Sequence, residues 1–179
     1  MREAVLDATA SLLAERGYGF SIDEVAAAAD VHKTTIYRNW TTKAILVAAA
    51  LDRLAETSIE VHRSDEPLTD LRELAVSVAR TLRHPSGAQT IRAVVGAAAD
   101  DPELIGTAER FLGGRYRIAV DIVAEAVSDG QLRDDTDGLL VWQAIVNPLH
   151  MRAILGTPAS DRVTLDLVDL VLNGAVVRP

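Results

Sequence analysis

Residues Ser21–Lys43, SIDEVAAAADVHKTTIYRNWTTK, leave the rest of the chain little freedom. The pattern is two short helices joined by a tight turn. Ser21 stands where a side-chain oxygen can accept a free backbone N–H of an opening helical turn. Asp23 and Glu24 follow, where the positive end of the helix dipole favours acids. Val25, Ala26 and Ala29 share one face and are small enough for a second helix to come close. Asp30-Val31 breaks the period. A new helix opens near Lys33 and turns Ile36 and Trp40 inward at i, i+4 spacing. Its other face carries Lys33, Thr34, Thr35, Tyr37, Arg38 and Asn39, a set suited to phosphates and base edges. The stretch reads as a helix-turn-helix.

Charge bears on that reading from two sides. The formal net charge of −8 argues against a protein that coats nucleic acid indiscriminately. Yet no acidic residue occurs between Val31 and Leu51, and Lys33, Arg38 and Lys43 lie in that gap. Composition sets the fold class. Apolar residues make up 49% of the 179 residues and aromatics only 4%, so Ala, Val and Leu must build the core, which favours packed helices. With no cysteine, disulfides and thiolate metal sites are excluded and a reducing, cytoplasmic home is expected. No apolar run reaches spanning length and no signal peptide opens the chain, so no membrane partner is expected.

Taken in order, residues 2–16 form a helix with Val5, Ala8, Leu12 and Leu13 inward and Gly17 at its end. Phe20 should pack as a hydrophobic staple on the helix it precedes. Thr41 or Thr42 caps a helix from about Lys43 to His62, with Val47, Leu51, Leu54 and Val61 as its inner stripe. Another runs from about Asp70 to Arg83, buries Leu71, Leu74, Ala75, Val78 and Leu82, and is closed by Pro85. Ser86-Gly87 separates it from a helix around residues 88–99. Asp101-Pro102 opens the next, which continues to Ser128 or breaks at Gly113-Gly114. Thr136 caps a helix to about Leu155 with a kink at Pro148, and Ser160 caps the last, ending at Gly174. The expected architecture is all-α: a three-helix helix-turn-helix domain over residues 1–45, then a helical bundle over residues 46–179, about nine helices in total.

The last two helices are apolar nearly all round. Polar residues keep mainly to Gln143, Asn147 and His150 in one, and the polar stripe of the other is Arg162, Asp166, Asp169 and Asn173. Helices apolar on most faces must be covered on most faces, and a second copy of the chain would cover them about a two-fold axis. A homodimer through Leu149, Ala153, Val163, Leu167, Leu170 and Val171 is therefore expected.

The helix-turn-helix resembles that of the tetracycline-repressor (TetR) family of bacterial transcriptional regulators. Ser21, Asp23, Val25-Ala26, Ala29-Asp30-Val31, Thr35-Ile36-Tyr37, Trp40 and Lys43 hold the places of the family pattern. Asp30 stands where the family has Gly, but Asp tolerates a left-handed turn. His32 stands where Ser is common, and of the family's basic N-terminal arm only Arg2 is left. The resemblance implies that Thr34 and Thr35 face bases in the major groove of double-stranded DNA. It implies that Lys33, Tyr37, Arg38 and Lys43 anchor phosphates and that Ser21 adds a backbone contact. It also implies a repressor that binds a palindromic operator as a dimer and is released by a small effector in the larger domain. Apolar lining there suits a hydrophobic ligand, with Gln89, Arg92, Phe111, Tyr116, Trp142 and Asn147 as inward-facing candidates.

Chemistry is not expected. His32, His62, His84 and His150 share no metal-ligand spacing, and Arg133–Gly138 fails as a calcium loop because Arg133 and Ala144 fall where acids are needed. No serine or cysteine is set as a nucleophile, so no catalytic residue, metal or cofactor is assigned. The competing reading is a helical ligand-binding or interaction protein that keeps the motif without binding DNA.

Overall fold

The computed structural model describes residues 1–57, 63–113 and 116–175. They form ten α-helices: α1 (Arg2–Arg16), α2 (Ile22–Ala28), α3 (Lys33–Asn39), α4 (Lys43–Thr57), α5 (Pro67–Arg83), α6 (Pro85–Asp100), α7 (Ile105–Gly113), α8 (Tyr116–Ser128), α9 (Gly138–Ile154) and α10 (Asp161–Ala175). Short 3₁₀ turns occupy Gly17–Gly19 and Pro102–Leu104. The chain divides into two compact units, Met1–Ile59 with Gln89–Leu112, and Glu60–Ala88 with Gly113–Pro179. Helix α6 starts in the second and from Gln89 lies in the first.

In the first unit, α1 packs on α4 and α2, and α2 on α3. Val5, Leu13, Phe20, Val25, Ile36, Trp40, Leu46, Val47 and Leu51 are buried there with Ala93, Val94, Ala97 and Leu104. Ala8, Leu12 and Ala29 are half-buried against that core. Leu6 and the backbone-bonded Thr9 are buried as well, both unforeseen from the pattern of α1. Thr42 is the residue that caps α4, its hydroxyl accepting from Ile45 N at 3.2 Å. Val61 and His62 lie outside the described residues, as does the side chain of Leu54.

In the second unit, α5, α8, α9 and α10 pack on one another. Leu71, Leu74, Ala75, Val78 and Leu82 of α5 are buried, as expected, and face a core that includes Ile122, Trp142, Ile145 and Val168. Four boundaries differ from the expectation, each for a local reason. Helix α5 starts at Pro67, because proline is suited to a first turn whose N–H has no partner. Pro85 does the same for α6, so Pro85-Ser86-Gly87 opens that helix and does not separate it from α5 by a loop. A Cβ at Gly87 would lie 2.0 Å from the Thr81 carbonyl oxygen, so only glycine fits this corner. Pro102 opens a short 3₁₀ turn before α7 and not α7 itself, while α7 stops at Gly113, one of the two courses expected, and the ten helices among the described residues agree with an expected count of about nine. Finally, Asp137, not Thr136, caps α9, its Oδ1 accepting from Leu139 N at 2.9 Å and Leu140 N at 3.1 Å. Helix α9 continues through Pro148 to Ile154, and Ser160 caps α10 through Val163 N at 3.3 Å.

Candidate nucleic-acid interface

The turn before α3 is set by one residue. Asp30 has φ 52°, the only non-glycine with positive φ among the described residues, and its short polar side chain makes that conformation tolerable. The Val31 N–H donates to Ala26 O at 3.0 Å, closing the corner. Upstream, Ser21 forms a full capping box with Glu24. Glu24 N donates to Ser21 Oγ at 3.3 Å, and Ser21 N donates to Glu24 Oε2 at 2.7 Å. These bonds, the backbone one foremost, hold the Glu24 carboxyl below its ordinary range. Arg16 adds an ion pair to the same carboxylate.

Ile36 and Trp40 are buried and fix the roll of α3, so its opposite side faces outward. Ser21, Lys33, Thr34, Tyr37 and Arg38 are exposed and Thr35 half-buried. Lys33 Nζ lies 2.8 Å from Asp23 Oδ2 on α2, and that hydrogen bond raises its pKa. The same ammonium stands 5.9 Å from the centre of the Tyr37 ring. Asn39 Nδ2 donates to Thr35 O at 2.8 Å within the helix. Arg2, the remnant of the basic arm, has its guanidinium 5.8 Å from the Trp40 ring. Pairing of Lys33 with Asp23 was not foreseen, although both residues stood in the opening stretch.

Lys43 is placed differently from the other six. Its Nζ donates to the carbonyls of Tyr18 and Phe20, and it lies 4.1 Å and 4.4 Å from the centres of those two rings. Burial pushes its pKa down, partly opposed by Glu24 and Asp101. Tyr18 in turn donates its hydroxyl to Asp101 Oδ2 at 2.8 Å. Nothing in the sequence ties residue 18 to residue 101; only the aromatic pair in Gly17–Phe20 hints that a cation sits there.

The residues proposed for a ligand fall in both units. Gln89 and Arg92 are exposed on α6, and Phe111 packs half-buried against the core of the first unit. Tyr116 is half-buried at the start of α8, where burial raises its pKa, and Asn147 is exposed on α9. Trp142 is fully buried, and its Nε1–H has no acceptor among the described residues. Of the residues proposed for self-association, Leu149 and Ala153 lie in the core of their own unit. Leu167 and Val171 are half-buried. Leu170 is 71% exposed and Val163 is 42% exposed, beside Leu155 at 70% and Met151 at 55%. No group of three or more His, Asp or Glu is placed to hold a metal, and no helix is long and apolar enough to cross a membrane, among the described residues.

Two family models match the chain. Residues 5–50 fit the model of bacterial regulatory proteins of the tetR family. Residues 63–171 fit that of the tetracyclin repressor-like C-terminal domain. The DNA-binding transcriptional repressor TetR of Mycobacteroides abscessus is 33% identical, over 98% of this chain and 93% of its own. The HTH-type transcriptional regulator AqdR of Rhodococcus erythropolis is 29% identical, over 97% of this chain and 84% of its own. Among solved structures, a TetR transcriptional regulator from Agrobacterium tumefaciens superposes with a TM-score of 0.77 at 22% identity, covering 99% of this chain and 95% of its own, a likeness of fold.

Proposed function

Since the chain belongs to the TetR family of bacterial regulators, we propose that it is a repressor that binds a palindromic operator as a homodimer and leaves it when a small hydrophobic effector binds. Residues 1–45 contact the DNA in this reading, and residues 46–179 serve dimerisation and the effector. The observation that carries it is the roll of α3, with Ile36 and Trp40 anchored inward and Lys33, Thr34, Tyr37 and Arg38 left outward. Thr34 and Thr35 read base edges, while Ser21, Lys33, Tyr37 and Arg38 hold the backbone. Two copies of α3 on a two-fold axis then require half-sites roughly 34–36 Å apart. The exposed Met151, Leu155, Val163 and Leu170 on and beside α9 and α10 favour self-association there. The indole N–H of Trp142, buried without an acceptor among the described residues, favours an effector that is largely apolar but carries one hydrogen-bond acceptor.

The test is selection of genomic fragments by the purified protein, followed by titration of the winning duplex across a salt series. The reading expects log K to fall linearly with log salt, and Lys33→Ala to reduce the slope by about 0.9. Failure to retain any fragment favours the second reading, a helical binding protein without a DNA function. The hold of Asp23 on Lys33 is the observation on that side.

A further inference from the structure

We propose that Lys43 is a positioning residue for the helix-turn-helix and not a phosphate ligand, and that Tyr18 extends its hold to Asp101 at the end of α6. The proposal rests on the DNA-binding reading above and assigns a role within it. An ammonium has three N–H donors. In Lys43 two of them meet the carbonyls of Tyr18 and Phe20, and two aromatic rings close over the same nitrogen. A phosphate would have to strip those contacts away before it gained any. Burial also destabilises the charge, as the lowered pKa of the group records.

The carbonyls it holds belong to the segment that enters α2, immediately before the capping residue Ser21. Lys43 itself opens α4, four residues after α3 ends. One ammonium therefore ties the chain entering the motif to the chain leaving it, and the path of α3 lies between those two points. Tyr18 adds a third point. Its hydroxyl donates to Asp101 Oδ2 at 2.8 Å, while Oδ1 of the same carboxylate accepts from Glu103 N at 3.0 Å and caps the turn Pro102–Leu104. Leu104 of that turn is buried in the shared core, and the turn packs on α4. Any displacement of the end of α6 thus acts on the entry to α2 through two hydrogen-bonded side chains. An effector uses this route only if it favours a state in which the link is broken.

The experiment compares the full-length protein with Lys43→Met, Tyr18→Phe and the double variant, on the duplex selected by the wild type, at temperatures well below each melting point. Lys43→Met keeps the stem and removes the charge; Tyr18→Phe removes one oxygen. Lys43→Met should weaken binding about tenfold with the salt slope unchanged, and Tyr18→Phe about threefold. The double variant should bind no worse than Lys43→Met, because both act through one contact chain. In DNA-free protein, amide hydrogen exchange over residues 18–25 should quicken in both single variants. A slope reduced by about 0.9 in Lys43→Met makes it a phosphate ligand and overturns the proposal. Unchanged affinity in the folded variants reduces the contact to fold stability and also overturns it. If the wild type retains no fragment, the DNA-binding reading fails on its own. The exchange experiment then stands alone, and unaltered exchange in Lys43→Met sinks the pin.

Discussion

The two units solve the same problem, fixing helices at defined angles, with different materials. In the first, side chains grip backbone at the corners. Ser21 and Glu24 do so at the start of α2, Asp30 adopts the left-handed turn before α3, and Lys43 spans the carbonyls of Tyr18 and Phe20. In the second, long helices meet along rows of Leu, Ile, Val and Ala, and ion pairs sit at the rim. Arg72 reaches Asp169 at 2.9 Å, and Arg80 and Arg83 reach Asp161 at 2.8 Å and 2.6 Å. The exception is Asp70, a buried carboxylate that accepts from Ser64 N at 3.0 Å and Ser64 Oγ at 2.6 Å at the entrance to α5. Exposed pairs such as those at the rim add little stability, so the second unit rests on burial. In the first, α2 and α3 have only seven residues each over which to bury surface, so their geometry is defined at the turns. That suits a part whose task is to present one helix face at a set angle.

The sharpest way to break the contrast is a cavity. Leu71 of α5 is fully buried, and Leu71→Ala should lower stability by about 2–5 kcal/mol. The chain has two tryptophans, Trp40 in the first unit and Trp142 in the second. In single-tryptophan variants, denaturant titration then reads each unit separately. The expected result is a large shift in the Trp142 transition. If the two transitions move together, the units unfold as one and the division has no energetic meaning.

Two glycines of α6 carry the comparison into a single helix. At Gly87, in the second unit, an added Cβ meets the Thr81 carbonyl at 2.0 Å, whereas at Gly96, in the first, it meets nothing within 4 Å. Gly87→Ala should cost about 1–3 kcal/mol through forced backbone movement. Gly96→Ala, exposed in a helix interior, should stabilise by about 0.5–1 kcal/mol. Melting temperatures of the pair check both signs at once.

Local devices were far more legible from sequence than contacts across the chain, in both units. Devices that hold turns are local: the Ser21–Glu24 box, the Asp30 turn and the inward Ile36 and Trp40 all declare themselves within a few residues. Buried stripes such as Leu71–Leu82 are legible too, since period alone reveals them. Contacts across the chain are not. Tyr18 with Asp101, the crowding of Gly87 by Thr81, and the placing of Lys43 depend on which surfaces meet, and no spacing encodes that. Dimer residues suffered likewise: apolarity alone could not separate Leu149 and Ala153, which their own core covers, from Leu170, which it leaves exposed.

Asp30 allows the turn to be weighed against the charge it carries. Its φ of 52° costs an L residue of the order of 1 kcal/mol. Asp30→Gly should therefore stabilise the first unit by about that amount, read at Trp40. Asp30→Asn keeps the strain and removes the charge. If proximity of an acid to α3 weakens phosphate binding, both variants should bind the selected duplex a few-fold more tightly, and only the glycine should melt higher.

The smallest effect tests whether corner-holding groups can be felt in solution at all. The Glu24 carboxyl is held below its ordinary range by the Ser21 backbone N–H first, then by the Ser21 hydroxyl and Arg16. A carboxyl with a lowered folded-state pKa contributes stability that is present above its unfolded pKa and lost as pH falls through the folded one. The wild type should therefore lose stability relative to Glu24→Gln as pH drops from roughly 5 to 3. Above that window the wild type should be the more stable of the two. The Trp40 transition should carry this difference and the Trp142 transition should not, because the box touches only the first unit. A gap that persists unchanged at low pH would mean that Glu24 caps α2 equally well when protonated, and that the charge of the box is incidental to how the corner is held.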